Sequence, residues 1–214
     1  MLRLVAVLAG VCALAGAALA QDPGFLGNVY ANLQEVQSPS GQKVQRWISP
    51  ALTPGKYDSL LLDKTVFYPL PKPTDQVSAT TLDEISGYLD EALRRELAGV
   101  VQLATEPGPK VLRLRPAITA AAAKELGLKP YQYIPIAFIF AMVSGRESKG
   151  ASLAVEYEVQ DTATNEVLAA GMRNGIGPEL ASPTAKLTLA DFKPIIDAWA
   201  KDAGAFIESA RLGK

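Results

Sequence analysis

Apolar positions recur along this chain with two different periods, and each marks its own kind of element. From Tyr57 to Tyr68 the pattern is a strand's. Leu60-Leu61-Leu62 runs without a polar break, as in a strand covered on both faces, and Val66-Phe67-Tyr68 resumes after Asp63-Lys64. Pro69, Pro71 and Pro73 end it. Thr81-Leu82-Asp83-Glu84 reads as a capping box opening a helix, whose stripe is Leu82, Ile85, Leu89, Ala92, Leu93 and Leu97, with Gly99 at its end. Val111 to Arg115 alternates, so Leu112 and Leu114 face one way and Arg113 and Arg115 the other, and Pro116 suggests a sheet edge or a strand end. The alanine-rich stretch from Ala120 to Gly127 reads as a short helix.

The sharpest pattern is a hairpin. Leu153, Val155, Tyr157 and Val159 alternate with Ala154, Glu156, Glu158 and Gln160. Pairing Asp161 with Glu166 across the loop Thr162 to Asn165 sets Val155 opposite Met172, Tyr157 opposite Ala170 and Val159 opposite Leu168, so every apolar side chain falls on one face. Thr188 to Leu212 forms a last amphipathic helix with Phe192, Ile195, Ile196, Trp199, Ala203, Phe206 and Ile207 on its buried side. Pro194 either kinks that helix or moves its start to Asp191. The order is arm, β, α, β, apolar segment, β, β, α. It predicts an α+β fold, a mostly antiparallel sheet with helices packed on one face.

The ends of the chain complete the organisation. Arg3, an apolar run from Leu4 to Ala20 and the terminal Ala18-Leu19-Ala20 have the form of a cleavable signal peptide over residues 1–20, and no basic stop-transfer cluster follows. A lipid anchor on Cys12 is disfavoured because Val11 stands where a lipobox needs a small residue. Residues 21–56, rich in Gly, Pro, Ser and Gln, read as an extended arm anchored by Phe25, Leu26 and Trp47, and residues 57–214 as a single α+β domain. No transmembrane helix is expected after cleavage. The mature chain would carry neither histidine nor cysteine, so its stability must come from a packed core rather than from disulfides.

Composition narrows the chemistry. With 49% hydrophobic residues the chain is not largely disordered, and a net charge of −1 gives no footprint for nucleic acid. The absence of histidine excludes histidine-based triads, dyads and zinc sites, and no cofactor is implied. Glu156 and Glu158 share a strand face and could form a carboxylate pair, although a solvent-side ladder with Arg113 and Arg115 is the plainer reading. Asp63-Lys64 reads as a bulge or strand end with both charges in water. Gly171, Gly175 and Gly177 lead into Pro178 rather than a helix N-terminus, so they make a poor phosphate loop. Tyr131-Gln132-Tyr133 and the apolar run Ile134 to Val143, including Phe138 and Phe140, are too short to cross a bilayer. They suit a core helix, a partner or ligand surface, or a membrane-surface patch.

Taken in order, several of these pieces carry a resemblance: Phe25-Leu26-Gly27, Lys56 to Asp63, Val111 to Arg115, Ala154 to Ala170 with its Asp161 to Glu166 turn, and Ala198-Trp199-Ala200. Over residues 25–210 the chain resembles a bacterial envelope family known as domain of unknown function 3313. The resemblance implies a secreted envelope protein without assigned activity, often a lipoprotein, and offers no catalytic residues. The expectation is a non-enzymatic envelope protein, periplasmic or associated with the outer membrane, that binds or scaffolds an envelope protein partner. Phe25, Leu26, Trp47, Tyr131, Tyr133, Phe138 and Phe140 are its candidate partner or ligand surface. Two alternatives stand beside it: a carrier or sensor of a small apolar ligand, and a carboxylate-only hydrolase.

Overall fold

The structure, a computed structural model, describes residues 24–123, 150–182 and 184–212. A 3-10 helix over Gly27–Asn32 opens it. The described strands are β1 (Gln34–Gln37), β2 (Lys43–Ile48), β3 (Ser59–Leu62), β4 (Val66–Phe67), β5 (Gln102–Ala104), β6 (Val111–Ala123), β7 (Gly150–Asp161) and β8 (Val167–Glu179). Helix α1 spans Ala79–Ala98 and α2 spans Leu189–Ser209. The strands form one sheet in the order β1-β2-β8-β7-β6-β3-β5, with β4 also pairing β6. Pairings from β1 to β6 are antiparallel, and β3 is parallel to β5 and β6. The fold is α+β, with both helices joined to the sheet in one core.

The core forms where the stripes meet. Ile85, Leu89, Leu97, Phe192 and Ile196 are all at most 1% exposed, and they pack on Leu60, Leu112, Ile118 and Leu153 of the sheet. Helix α1 starts earlier than its sequence suggests. Ser78 is the cap, its Oγ accepting the Thr81 N–H at 3.0 Å, and Thr81 is buried in the first turn rather than capping it. Helix α2 does begin at Thr188, where Asp191 Oδ2 accepts both the Thr188 N–H (2.8 Å) and its hydroxyl (3.0 Å). Pro194 lies inside it on the exposed side.

Four further expectations are corrected. The strand from Tyr57 to Tyr68 is two pieces, β3 and β4, because the break falls between partners Leu114 and Ala117 of β6, opposite Pro116, which has no N–H for a ladder. The freed Thr65 N–H is taken by Asp90 Oδ1 at 2.8 Å. Leu61 is half-buried between buried Leu60 and Leu62, so β3 is dry on one face only. Residues 120–123 are strand, held by β7 out to the pair Ala123–Ala151, and that pairing overrides alanine's helical preference. The hairpin closes where expected, Asp161 N–H to Glu166 O at 3.0 Å, but Val159 pairs Ala169 whereas Gln160 pairs Val167. Leu168 is therefore an extra residue, and beyond it Val155 faces Arg173 while Met172 falls opposite Glu156.

Residues expected as an arm are drawn into the sheet. β2 lies beside β8, with Trp47 opposite Ala170, and β1 folds back as the edge. The glycines of β8 face the helices. A Cβ on Gly175 would sit 2.3 Å from Ile195 Cγ2, and one on Gly177 would sit 2.3 Å from the Asp191 carbonyl, so both residues exist to let α2 approach the strand.

Candidate functional site

The face of the sheet turned away from the helices carries the polar chemistry. By register, Trp47, Ala170, Glu158 and Arg115 form one row across β2, β8, β7 and β6, and Gln45, Met172, Glu156 and Ala117 form the next. Sequence periodicity puts Glu156 and Glu158 on the solvent side. The structure keeps them on one face but buries both, Glu156 at 1% exposure. The cover includes the segment that ends in β1: Tyr30 and Leu33 pack on Met172, Ala154 and Ala120.

Tyr30 is the clasp of that cover. Its hydroxyl donates to Glu156 Oε2 at 2.6 Å. Burial, and then the Glu156 carboxylate it binds, push the phenol well above its usual range, while the backbone N–H groups of Leu26 and Phe25 act the other way. Burial also raises the Glu156 carboxyl above the ordinary carboxylate range, with Glu158 adding to the effect, against the hydrogen bond from Tyr30 and the nearby Thr119 hydroxyl. Gly24 seats the same ring: it has φ +77°, and a Cβ there would lie 2.7 Å from the Tyr30 hydroxyl.

Around this buried acid lies a half-exposed rim. Arg113 Nε donates to both oxygens of Asp63 at 2.9 Å, and Arg115 Nη1 donates to Glu158 Oε2 at 2.7 Å. Burial raises the Glu158 carboxyl, against the pull of Arg115. The expected arginine–glutamate ladder is thus real for Arg115 and Glu158, whereas Arg113 turns to Asp63. Phe25 packs edge-on against Tyr68 (centroids 6.0 Å apart) and under the Arg115 guanidinium (5.6 Å). Val66, 48% exposed and paired with Ala117, lies on the same face.

These facts locate the candidate residues. Phe25 and Trp47 are half-buried on this face, and Leu26, 2% exposed, is an anchor turned inwards. Tyr131, Tyr133, Phe138 and Phe140 lie outside the described residues, as do Cys12 and residues 1–20. Sequence reasoning missed Tyr30, Gly24 and Thr119; its one usable signal was the pair of glutamates in an otherwise apolar hairpin. As a hydrolytic pair these glutamates are poorly placed, since a substrate would have to displace Tyr30 to reach Glu156. Among the described residues no cluster of acids has the form of a metal site, and no helix is long and apolar enough to cross a membrane.

The model of a family described as a protein of unknown function, DUF3313, matches residues 21–203. The chain belongs to that family. The chain is similar to the uncharacterized lipoprotein YdcL of Escherichia coli strain K12, 35% identical over 210 residues that span 94% of each chain, and the protein of that name in E. coli O157:H7 matches to the same extent. Both are lipoproteins by name, which leans against the expectation that Cys12 of this DUF3313 chain carries no lipid. Solved structures are similar at a greater distance. The PelC L103M dodecamer of Paraburkholderia phytofirmans aligns at 8% identity with a TM-score of 0.42, covering 80% of this chain and 99% of its own. Protein XCC0632 of Xanthomonas campestris aligns at 10% identity with a TM-score of 0.45, covering 76% and 90%.

Proposed function

We propose that this is an exported envelope protein that works as a binding module, and that the sheet face opposite the helices is where its partner docks. The observation that carries this reading is the composition of that face: Trp47, Phe25 and Tyr68 stand half-exposed beside Arg113 and Arg115, around a dry centre of Glu156, Met172 and Ala170. Aromatic and arginine side chains are enriched at protein interfaces and supply much of their binding energy. The row from Trp47 to Arg115 crosses four strands, about 14 Å, which is wide enough to seat an anchor cluster. The lipoprotein names of its curated relatives support an envelope location, and the apolar run of residues 4–20 supports export.

A photo-crosslinking residue placed at Trp47, and a second placed at the exposed Lys201 on α2, test the reading in intact cells. An envelope protein captured from position 47, absent from position 201 and lost with Arg113→Ala, supports it. Equal capture from both positions, or none from either, overturns it.

A further inference from the structure

The opposite side of the sheet holds a second feature, independent of the docking face. Between α1, α2 and the sheet lies a cavity of about 100 Å³ whose wall is nearly all apolar, with Leu89, Leu114, Val155 and Trp199 among its residues. Its lining also includes exposed Pro39 and half-buried Ala203 and Phe206, so it reaches the surface there. Two guanidiniums stand at this rim. Arg173 bonds Asp202 Oδ2 at 2.5 Å, yet its Nε–H is buried without a hydrogen bond. Arg46 lies 4.7 Å over the Phe206 ring and pairs with no carboxylate among the described residues. Arg46 is opposite Gly171, so Arg173 is its diagonal neighbour on the same face, roughly 7 Å away.

We propose that this cavity binds a free short-chain alkyl carboxylate, its chain against the leucines and Trp199 and its head on Arg46 and the Nε–H of Arg173. Size limits the chain. The cavity is about two-thirds of the ~150 Å³ that holds one benzene, so it takes a few methylenes and not a phospholipid tail. Charge selects the head. Two arginines against Asp202 leave one net positive charge at the rim, which a single carboxylate neutralises. The buried, unpaired Nε–H gains the acceptor it lacks, the kind of contact whose absence is costly in a dry site. A neutral alcohol of the same length would fill the wall and could accept the Arg173 Nε–H, but it would leave the net positive charge at the rim unneutralised.

Hexanoate and hexanol are the probes, read by calorimetry and by Trp199 emission in a Trp47→Phe background, which leaves Trp199 the sole tryptophan. The expected result is saturable hexanoate binding that shifts Trp199 emission, binding of hexanol at least tenfold weaker, and a tenfold loss for hexanoate in Arg46→Gln with recovery in Arg46→Lys. Ala203→Leu, which fills the cavity, should abolish binding; if that variant does not fold, the Arg46 pair decides. Equal affinity for hexanol and hexanoate, indifference to Arg46→Gln, or unchanged Trp199 emission would each overturn the proposal.

Discussion

The two faces of the sheet solve the problem of burial differently. On the helix face, glycines stand where α2 comes closest, so Ile195 and Trp199 sit directly on backbone, and Phe192 and Ile196 are wholly enclosed. On the other face a carboxylic acid lies at the centre, capped by one tyrosine from a short segment near the start of the described chain. The first face gains its stability from contact area, which is unspecific and strong. The second adds to the apolar contacts of Tyr30, Leu33 and Phe25 one hydrogen bond over a desolvated acid, which is worth less than the helix contacts and responds to protonation. The contrast predicts where the molecule opens first: segment 24–33 shares no residue with the helix-side core, so it should open before the helices do.

The contrast can be broken by substitution, and the helix face should suffer most. Phe192→Ala removes a fully enclosed ring and should cost about 4 kcal/mol in denaturant unfolding. Asp202→Asn strands the Arg173 guanidinium, whose side chain is only 11% exposed, and should cost about 3 kcal/mol at neutral pH. Burial works to raise the Asp202 carboxyl, but Arg173, Ser40 and Ser38 together hold it below its ordinary 3.8. The stability this carboxylate adds is present above 3.8 and lost as pH falls through the lower folded value, so the gap between wild type and variant should close in strong acid. Gly175→Ala pushes Ile195 off its seat and should cost about 2 kcal/mol.

On the second face the effects should be small and local. Tyr30→Phe should cost about 1 kcal/mol, and hydrogen exchange should show it as faster opening of residues 25–33 with α1 and α2 unchanged. Glu156→Gln should be the mildest change and have the opposite sign. The folded Glu156 carboxyl is raised above 4.5, so its contribution to stability is full below that value and lost as pH rises through the folded one. The variant should therefore match or exceed wild-type stability at neutral pH and lack its gain on mild acidification. Faster exchange at the helices in Tyr30→Phe would show that the faces are not independent, and parallel pH curves for Glu156→Gln would show that the Glu156 carboxyl does not titrate differently on folding.

The same division explains what could be read in advance. Both helix stripes were legible because every residue from Leu82 to Leu97 that meets the core sits at helical spacing on one element. The turn from Asp161 to Glu166 was legible because its signals are local. β1 and β2 were not, because Gln34–Gln37 and Lys43–Ile48 are polar strands whose place depends on β8, more than a hundred residues later. Glu156 was misplaced for the same reason: alternation assigns it a face, but only the distant Tyr30 decides whether that face is wet. The rim, from Arg115 and Glu158, was half legible, since opposite charges on facing strands announce themselves while Asp63's competing claim on Arg113 does not.

Leu168 has a consequence for how relatives of this chain should be aligned. One inserted residue inverts everything that follows it on β8, so it decides that Arg173, Gly175 and Gly177 look towards the helices and Met172 towards Glu156. A homologue with a single-position gap here would be a small edit on paper. In three dimensions it would turn the strand over, trading a guanidinium for a methionine beneath α2 and setting a cation beside the buried acid. Gaps at this point therefore mark a change of architecture, and should weigh more than many substitutions elsewhere in the strand.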